Sequence, residues 1–232
     1  MSRNNTIGIV GVITAPVKLI TDAADWKQRV YETTLTRIRP SGTADTFILQ
    51  YAAQAAGTET MLAQIAENAE VLIGGEVKTE NIQNPQPEEN RVKIYIHAEV
   101  IAVNKPPVDD QNEVKLRGFI CRTPWYKTTK RRQPSGKKMQ VADTIIAVNT
   151  PTGTSYIPCV CFSEAAIYAT TLKIGDQVTV YGRMQSRKYE KKIPGYEVPY
   201  LFTVYEVCAV KIQCTRRKEH EKQSATGGRS TN

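Results

Sequence analysis

Three consecutive pieces of chain decide the fold: Ser155-Tyr-Ile-Pro-Cys-Val-Cys-Phe162, Ser163-Glu-Ala-Ala-Ile-Tyr-Ala-Thr-Thr-Leu172 and, after Lys173-Ile-Gly-Asp176, Gln177-Val-Thr-Val-Tyr-Gly-Arg-Met-Gln-Ser-Arg187. The first is rich in β-formers and its cysteines alternate onto one side, which predicts a strand over 155–162. The second is rich in alanine, with Ala165, Ile167, Tyr168 and Leu172 as its apolar residues and Ser163 in position to cap, which predicts a helix closed by Lys173-Ile-Gly-Asp176. The third returns to β-rich sequence over 177–187. Outward from these pieces, 114–121 and 141–148 (Val-Ala-Asp-Thr-Ile-Ile-Ala-Val) read as strands, the tight Thr150-Pro-Thr-Gly153 turn leads into 155–162, and a last strand covers 198–211.

The same order occurs twice. An offset of 107 residues lays Asn5–Ile13 on Asn112–Ile120, Val71–Val77 on Val178–Met184 and Glu99–Val103 on Glu206–Val210; between them an offset of 111 pairs Pro40-Ser-Gly42 with Pro151-Thr-Gly153. In the first copy strands are expected near 7–14, 31–38, 45–52, 71–79 and 91–103, with a helix near 58–69. Five strands with one helix between the third and fourth is the order of the OB-fold, a Greek-key barrel whose 1-2 and 4-5 connections commonly meet oligonucleotides. The expected fold class is therefore all-β with one short helix per unit, in two tandem OB-folds: 1–104, a proline-bearing linker at 105–111, 112–213, and a tail at 214–232.

The 232 residues carry 31 Lys plus Arg against 23 Asp plus Glu, a formal net charge of +8. The excess is not shared: residues 1–111 carry −4 and residues 112–232 carry +12, and 12 of the 17 aromatic residues lie in the second part. Cations follow phosphates and flat rings stack on unpaired bases, so their joint enrichment points to single-stranded nucleic acid; a soluble basic barrel with tyrosines in its core has the same composition. No apolar run is long enough to span a bilayer, and the start lacks the character of a signal peptide, so a cytoplasmic protein without a membrane partner is expected. Five cysteines without a CxxC suit neither a disulfide framework nor a four-cysteine zinc site. Cys159 and Cys161 read as core residues. His97 and His220 are too far apart in type of segment to build a catalytic or metal cluster, and Gly74-Gly75 and Gly182 read as bulges or bends rather than phosphate cradles. No catalytic residue, metal or cofactor is expected, and the chain does not read as an enzyme.

In the second unit the 1-2 connection, 122–138, holds seven Lys/Arg and no acid, together with Trp125 and Tyr126; the 4-5 connection, 188–196, holds Tyr189 and Tyr196 among three lysines. Candidate phosphate-neutralising residues are Arg122, Lys127, Lys130, Arg131, Arg132, Lys137, Lys138, Arg187, Lys188, Lys191 and Lys192. Candidate stacking residues are Trp125, Tyr126, Tyr156, Phe162 and Tyr189. The matching connections of the first unit are weaker: 15–30 sets Lys18, Lys27, Arg29 and Trp26 against Asp22 and Asp25, and 81–89 is acidic.

The run Tyr156-Ile-Pro-Cys-Val-Cys-Phe162, a helix, then Leu172-Lys-Ile-Gly-Asp-Gln-Val-Thr-Val-Tyr-Gly-Arg-Met-Gln-Ser-Arg-Lys-Tyr189 resembles the bacterial single-stranded DNA-binding proteins, as does Pro134-Ser-Gly-Lys137 leading into Val141–Asn149. The resemblance covers about 112–212. It implies that Tyr156, Phe162 and Tyr189 stand where that family stacks bases, often with Trp or Phe. Two departures stand out. The family's tail is usually acidic with an apolar tip, whereas residues 215–232 carry five Lys/Arg and two acids; and the common subunit has one OB-fold and forms a homotetramer. Two chains of two OB-folds would preserve four, so a homodimer is expected.

The expected function is thus coating of single-stranded DNA without sequence preference, in replication, recombination or repair, with RNA as an alternative ligand. A competing class is an OB-fold assembly or adaptor protein of a replication or mobile-element complex, in which the acidic first unit binds a protein partner.

Overall fold

Alternation of buried and half-buried side chains along nearly every strand builds two five-stranded barrels that share one continuous sheet. The computed structural model describes residues 3–87, 89–103, 111–132, 136 and 138–218, with backbone alone at 130–132. In the first barrel β1 (Asn5–Ile13), β3 (Val30–Ile38), β4 (Ala44–Ala52), β5 (Glu70–Asn81) and β6 (Val92–Val103) close by antiparallel pairing of β1 with β3 and β5, β3 with β4, and β5 with β6, and by parallel pairing of β4 with β6. The second barrel repeats the circuit with β7 (Asn112–Arg132), β8 (Lys138–Thr150), β9 (Gly153–Phe162), β10 (Gln177–Lys191) and β11 (Tyr200–Arg216), again with one parallel pair, β9 with β11. This is the expected OB-fold circuit, twice. Ile9, Ile13, Leu35, Phe47, Leu49, Tyr51, Ile73 and Ile96 fill one barrel, and Leu116, Ile120, Ile146, Ile157, Cys159, Cys161, Val178 and Val180 the other.

β1 and β7 pair antiparallel about Ile7↔Val114, joining the barrels by a local two-fold relation. The relation extends to side chains. Asn5 Nδ2 donates to Val77 O (2.7 Å) and its Oδ1 accepts from Val77 N (3.1 Å); Asn112 does the same to Met184 O (2.8 Å) and N (2.9 Å). Each buried amide thus satisfies a backbone donor and acceptor that the sheet leaves unpaired. On the flanks Thr46 N donates to Ser186 Oγ and Tyr156 N to Thr79 Oγ1, both at 2.9 Å.

Gly75 and Gly182 sit at register shifts in β5 and β10, where an added Cβ would lie 2.1 Å from His97 O and 2.3 Å from Cys208 O, so the bulges need glycine. These contacts correct one segment of the sequence repeat: His97 is equivalent to Cys208, an offset of 111, so Glu99–Val103 does not correspond to Glu206–Val210. Pro40-Ser-Gly42 and Pro151-Thr-Gly153 also occupy unlike turns, since Ile38↔Ala44 brackets five residues and Thr150↔Gly153 only two.

Both helices are shorter than expected. The chain at 53–69 splits into a 3-10 turn (Ala53–Ala56) and α1 (Glu59–Ala63), which Thr58 caps; Asn68 at φ 71° then leaves helical geometry. α2 (Ser163–Ala169) turns Ala166 and Ala169 inward and leaves Ile167 outside, because only small residues fit beneath it. Ser163 does not cap it: Phe162 is the N-cap, without a side-chain bond, and Ser163 takes φ 52°. A short strand, β2 (Lys18–Thr21), and a 3-10 turn at Trp26–Gln28 occupy the first 1-2 connection. β11 runs three residues beyond 213, where Asp176 Oδ1 accepts from Lys218 N (3.0 Å) and its Oδ2 from Arg217 Nη1 (2.8 Å). The linker at 105–111 lies outside the described residues except for Gln111, as does the tail after Lys218.

Candidate nucleic-acid interface

The two connections expected as loops in the second unit are largely strand. β7 continues through Arg132 and pairs with β8 as far as Arg132↔Lys138, while β10 continues to Lys191 against Tyr200. Both therefore extend the barrel wall as two-stranded ribbons, and side-chain direction along them is set by register. Cross-strand contacts offset the high charge of these segments: Tyr189 stacks on Phe202 in one ribbon, and in the other Trp125 and Lys127 stand opposite Asp143 and Val141.

Register places many candidates on one face. On β9, Ile157, Cys159 and Cys161 point into the core, so Tyr156, Pro158, Val160 and Phe162 point out. Their partners on β8 are Ala147, Ile145, Asp143 and Val141. Across Asp143 and Val141 stand Trp125 and Lys127 of β7. On the other side Val160 neighbours Cys208 of β11, which pairs with Arg183 of β10; Gln185, Arg187 and Tyr189 follow at alternate positions. Trp125, Lys127, Tyr156, Phe162, Arg187, Tyr189 and Lys191 thus share one surface crossing four strands and β7. Arg122, opposite Ile145, belongs to it as well. Tyr126, opposite the core residue Ala142, and Lys188, between Arg187 and Tyr189, direct their side chains to the other side of their ribbons. Lys138 is exposed at the ribbon tip and Lys192 in the turn after β10. Lys130, Arg131 and Arg132 have strand backbone, and Lys137 lies outside the described residues.

The rings are available. Trp125 is 62% exposed and Tyr156 55%. Phe162 is half-buried, packed against Val141, Val160 and Cys208. Tyr189 stacks on Phe202 at 5.5 Å. Cations stand beside the rings: Lys127 Nζ lies 4.4 Å from the Trp125 ring and Lys191 Nζ 5.6 Å from that of Phe202. Lys127 also pairs with Asp143, and Arg187 Nε with Glu206 Oε1 at 3.1 Å. Glu206 is further held by Gln185 (3.0 Å). These acids hold the cations over the face, where the Lys127 and Arg187 side chains themselves stay 41% and 56% exposed.

Arg183 did not emerge from the connections because it lies within a strand; the alternation Arg183, Gln185, Arg187, Tyr189 was the signal that would have placed it. It stands across from Cys208, whose thiol pKa is raised by burial against the lowering effect of this guanidinium. Burial also pushes the Cys161 thiol up to about 12, so these cysteines remain protonated and serve as packing. Among the described residues no group of His, Cys, Asp and Glu could hold a metal, and no helix is long and apolar enough to cross a membrane.

A basic, aromatic-bearing face across the strands of a closed OB barrel matches one sequence family, with the matched residues spanning that whole barrel. Residues 111–215 match the single-strand binding protein family. Single-strand binding proteins are non-catalytic. The fold of the entire chain is similar to two crystal structures of the single-stranded DNA-binding protein from Thermus aquaticus. A deletion mutant aligns over 97% of this chain and 100% of that one at TM-score 0.65 and 18% identity. The wild-type protein aligns over 95% and 98% at TM-score 0.66 and 18% identity. Both barrels are therefore covered. No curated protein sequence is matched significantly.

Proposed function

We propose that this chain coats single-stranded DNA without sequence preference, in replication, recombination or repair, and that the strand lies on the outer face of the second barrel. The observation that carries the reading is the convergence of Trp125, Tyr156, Phe162 and Tyr189 with Lys127, Arg183, Arg187 and Lys191 on that face, in a barrel of the single-strand binding family. Rings would stack on bases and cations would neutralise phosphates, neither of which reads sequence. Arg122 and Lys138 would extend the cationic track along the β7–β8 ribbon and Lys192 beyond the end of β10, with Tyr126 and Lys188 on the rear of their ribbons; Lys130, Arg131, Arg132 and Lys137 would add to the charge of the first connection.

Titration of a labelled oligo-dT at two salt concentrations tests this. Tight binding at low salt that weakens steeply with salt is expected; binding no tighter than micromolar at low salt, or a preference for duplex, would contradict it. Competition between oligo-dT and oligo-U decides between DNA and RNA. The assembly is a homodimer of four barrels in this reading, checked by mass measurement in solution. The acids on the first barrel's outer face, Glu76 and Glu80, favour a second role for that unit in docking a basic protein partner within a replication or mobile-element assembly. Loss of such a partner's capture on replacing both by glutamine would support it.

A further inference from the structure

Past Gly182, β10 loses one of its two neighbours. It pairs with β11 throughout but with β7 only over Gln177–Gly182, so among the described residues no strand covers the other edge of 183–191. In an antiparallel strand the N–H and C=O of one residue point to the same side, and on the uncovered edge these belong to Met184 and Ser186. Those of Met184 go to the Asn112 amide of the same barrel. Those of Ser186 go to the other unit: Asp45 Oδ1 accepts from Ser186 N at 2.7 Å, and Arg39 Nη2 donates to Ser186 O at 3.0 Å. Arg39 and Asp45 are joined by two bonds of their own, Nε to Oδ2 at 2.7 Å and Nη2 to Oδ1 at 2.5 Å, and Asp45 is only 1% exposed. The ion pair flanking the β3–β4 turn thus does for Ser186 what a neighbouring strand would do.

The two-fold copy of this contact lacks the charge. Thr46 N donates to Ser186 Oγ as Tyr156 N does to Thr79 Oγ1, so Ser155 stands where Asp45 does and brings no carboxylate to β5. The clamp belongs to the barrel whose β10 turns Arg183, Arg187 and Tyr189 outward. A two-stranded ribbon twists more than a wider sheet and is only marginally stable alone. Freed at Ser186, the β10–β11 ribbon would swing Arg187 and Tyr189 out of line with Trp125 and Phe162. We propose that Asp45, held by Arg39, is a positioning residue for single-strand binding: it fixes the twist of β10 at Ser186 and so keeps Arg187 and Tyr189 in register with the rest of the second barrel's face. The proposal rests on the reading of that face as a single-strand site. It gives the acidic unit a share in binding that acts through the seam between the barrels, by a buried carboxylate that does not itself touch the strand.

The test titrates oligo-dT onto full-length protein. Asp45→Ser, which copies the other barrel, should weaken binding about 3- to 10-fold, the cost of ordering one or two side chains that the clamp otherwise holds ready. In a chain already carrying Arg187→Ala and Tyr189→Ala there is nothing left to position, and the same change should cost less than about twofold. Asn5→Ala loosens the first barrel at Val77 without reaching β10 and should leave affinity within about twofold of wild type. Thermal melts show whether each variant is folded. Should Asp45→Ser not fold, Arg39→Gln, which leaves the carboxylate on Ser186 N but removes its bidentate partner, carries the test, with a smaller loss of the same pattern. Unchanged affinity in the clamp variant, an equal loss in the Arg187→Ala/Tyr189→Ala background, or an equal loss in Asn5→Ala would overturn the proposal while the second-barrel reading stands. If the wild-type chain does not bind oligo-dT, that reading itself fails.

Discussion

Where β10 of the second barrel turns Arg183, Gln185 and Arg187 outward, the equivalent positions of β5 in the first barrel carry Glu76, Lys78 and Glu80. Where β9 presents Tyr156 and β10 ends in Tyr189, the first barrel has Thr46 and Ile82. The backbone around these sites is the same to the level of single bulges and paired asparagines. The first barrel's face is instead occupied by its own side chains: Glu32 accepts from Gln50 Nε2 at 2.7 Å and pairs with Lys93 at 2.5 Å, and Lys93 Nζ lies 5.7 Å from the Tyr95 ring. Burial penalises the charged Glu32, yet its bonds to Lys93 and Gln50 hold the carboxyl below its ordinary pKa. Cations on both faces have acidic partners, so the two copies of one fold differ instead in the sign of the charge along β5 and β10 and in the rings that stand beside it. Function in this chain follows from the residues on the strands' outer face and not from the barrel.

The largest expected effect comes from giving the second face the first face's residues. Tyr156→Thr with Tyr189→Ile removes two stacking rings, and at about 1–3 kcal/mol per base the pair should weaken oligo-dT binding by about 30-fold or more. Next, Arg183→Glu with Arg187→Glu should lower affinity by about 25-fold at 0.1 M salt and reduce the salt slope by about 1.4, before any repulsion is added. A filter-binding series in salt reads both quantities.

Much of this contrast is legible in the sequence. The charge division, the repeat and the strand–helix–strand order around Phe162 are local or compositional, and they led to two barrels with the basic one as the binder. What escaped is long-range. Strand extension of β7 to Arg132 depends on its partner Lys138–Thr150, so a basic stretch reads as a loop until it is paired. Arg183 lies within a strand, so the charge of the connections gives no sign of it. The true equivalence of His97 with Cys208 depends on bulges at Gly75 and Gly182, which shift register without leaving a mark in a 107-residue offset.

Smaller effects sharpen the comparison. Asn5→Ala and Asn112→Ala each strip the same two backbone partners, so urea melts should show similar losses of about 1–3 kcal/mol for both; a large inequality would mean that the two sides of the β1–β7 seam are not equivalent. Glu76→Arg with Glu80→Arg should tighten oligo-dT binding by less than about fivefold, since cations without rings supply only the electrostatic part. The smallest effect concerns acid. Glu32 and Asp176 are both held below their ordinary pKa values, Asp176 against the opposing effect of burial by the backbone N–H groups of Lys173 and Lys218 and by Arg217. Their stabilisation is complete above the ordinary carboxylate range and is lost as pH falls through the depressed values. Melting temperature should therefore fall below about pH 4, and Glu32→Gln should flatten part of that fall.

The central claim is that the outer face of the second barrel, and not its acidic counterpart, carries the strand. Salt-dependent titration of oligo-dT onto the full-length chain, its Arg183→Glu/Arg187→Glu variant and its Glu76→Gln/Glu80→Gln variant tests it most directly. The account predicts a steep salt slope for the wild-type chain, a clear loss of affinity and slope in the arginine variant, and affinity in the glutamate variant equal to or above wild type. Unchanged binding by the arginine variant, or weakened binding by the glutamate variant, would contradict it.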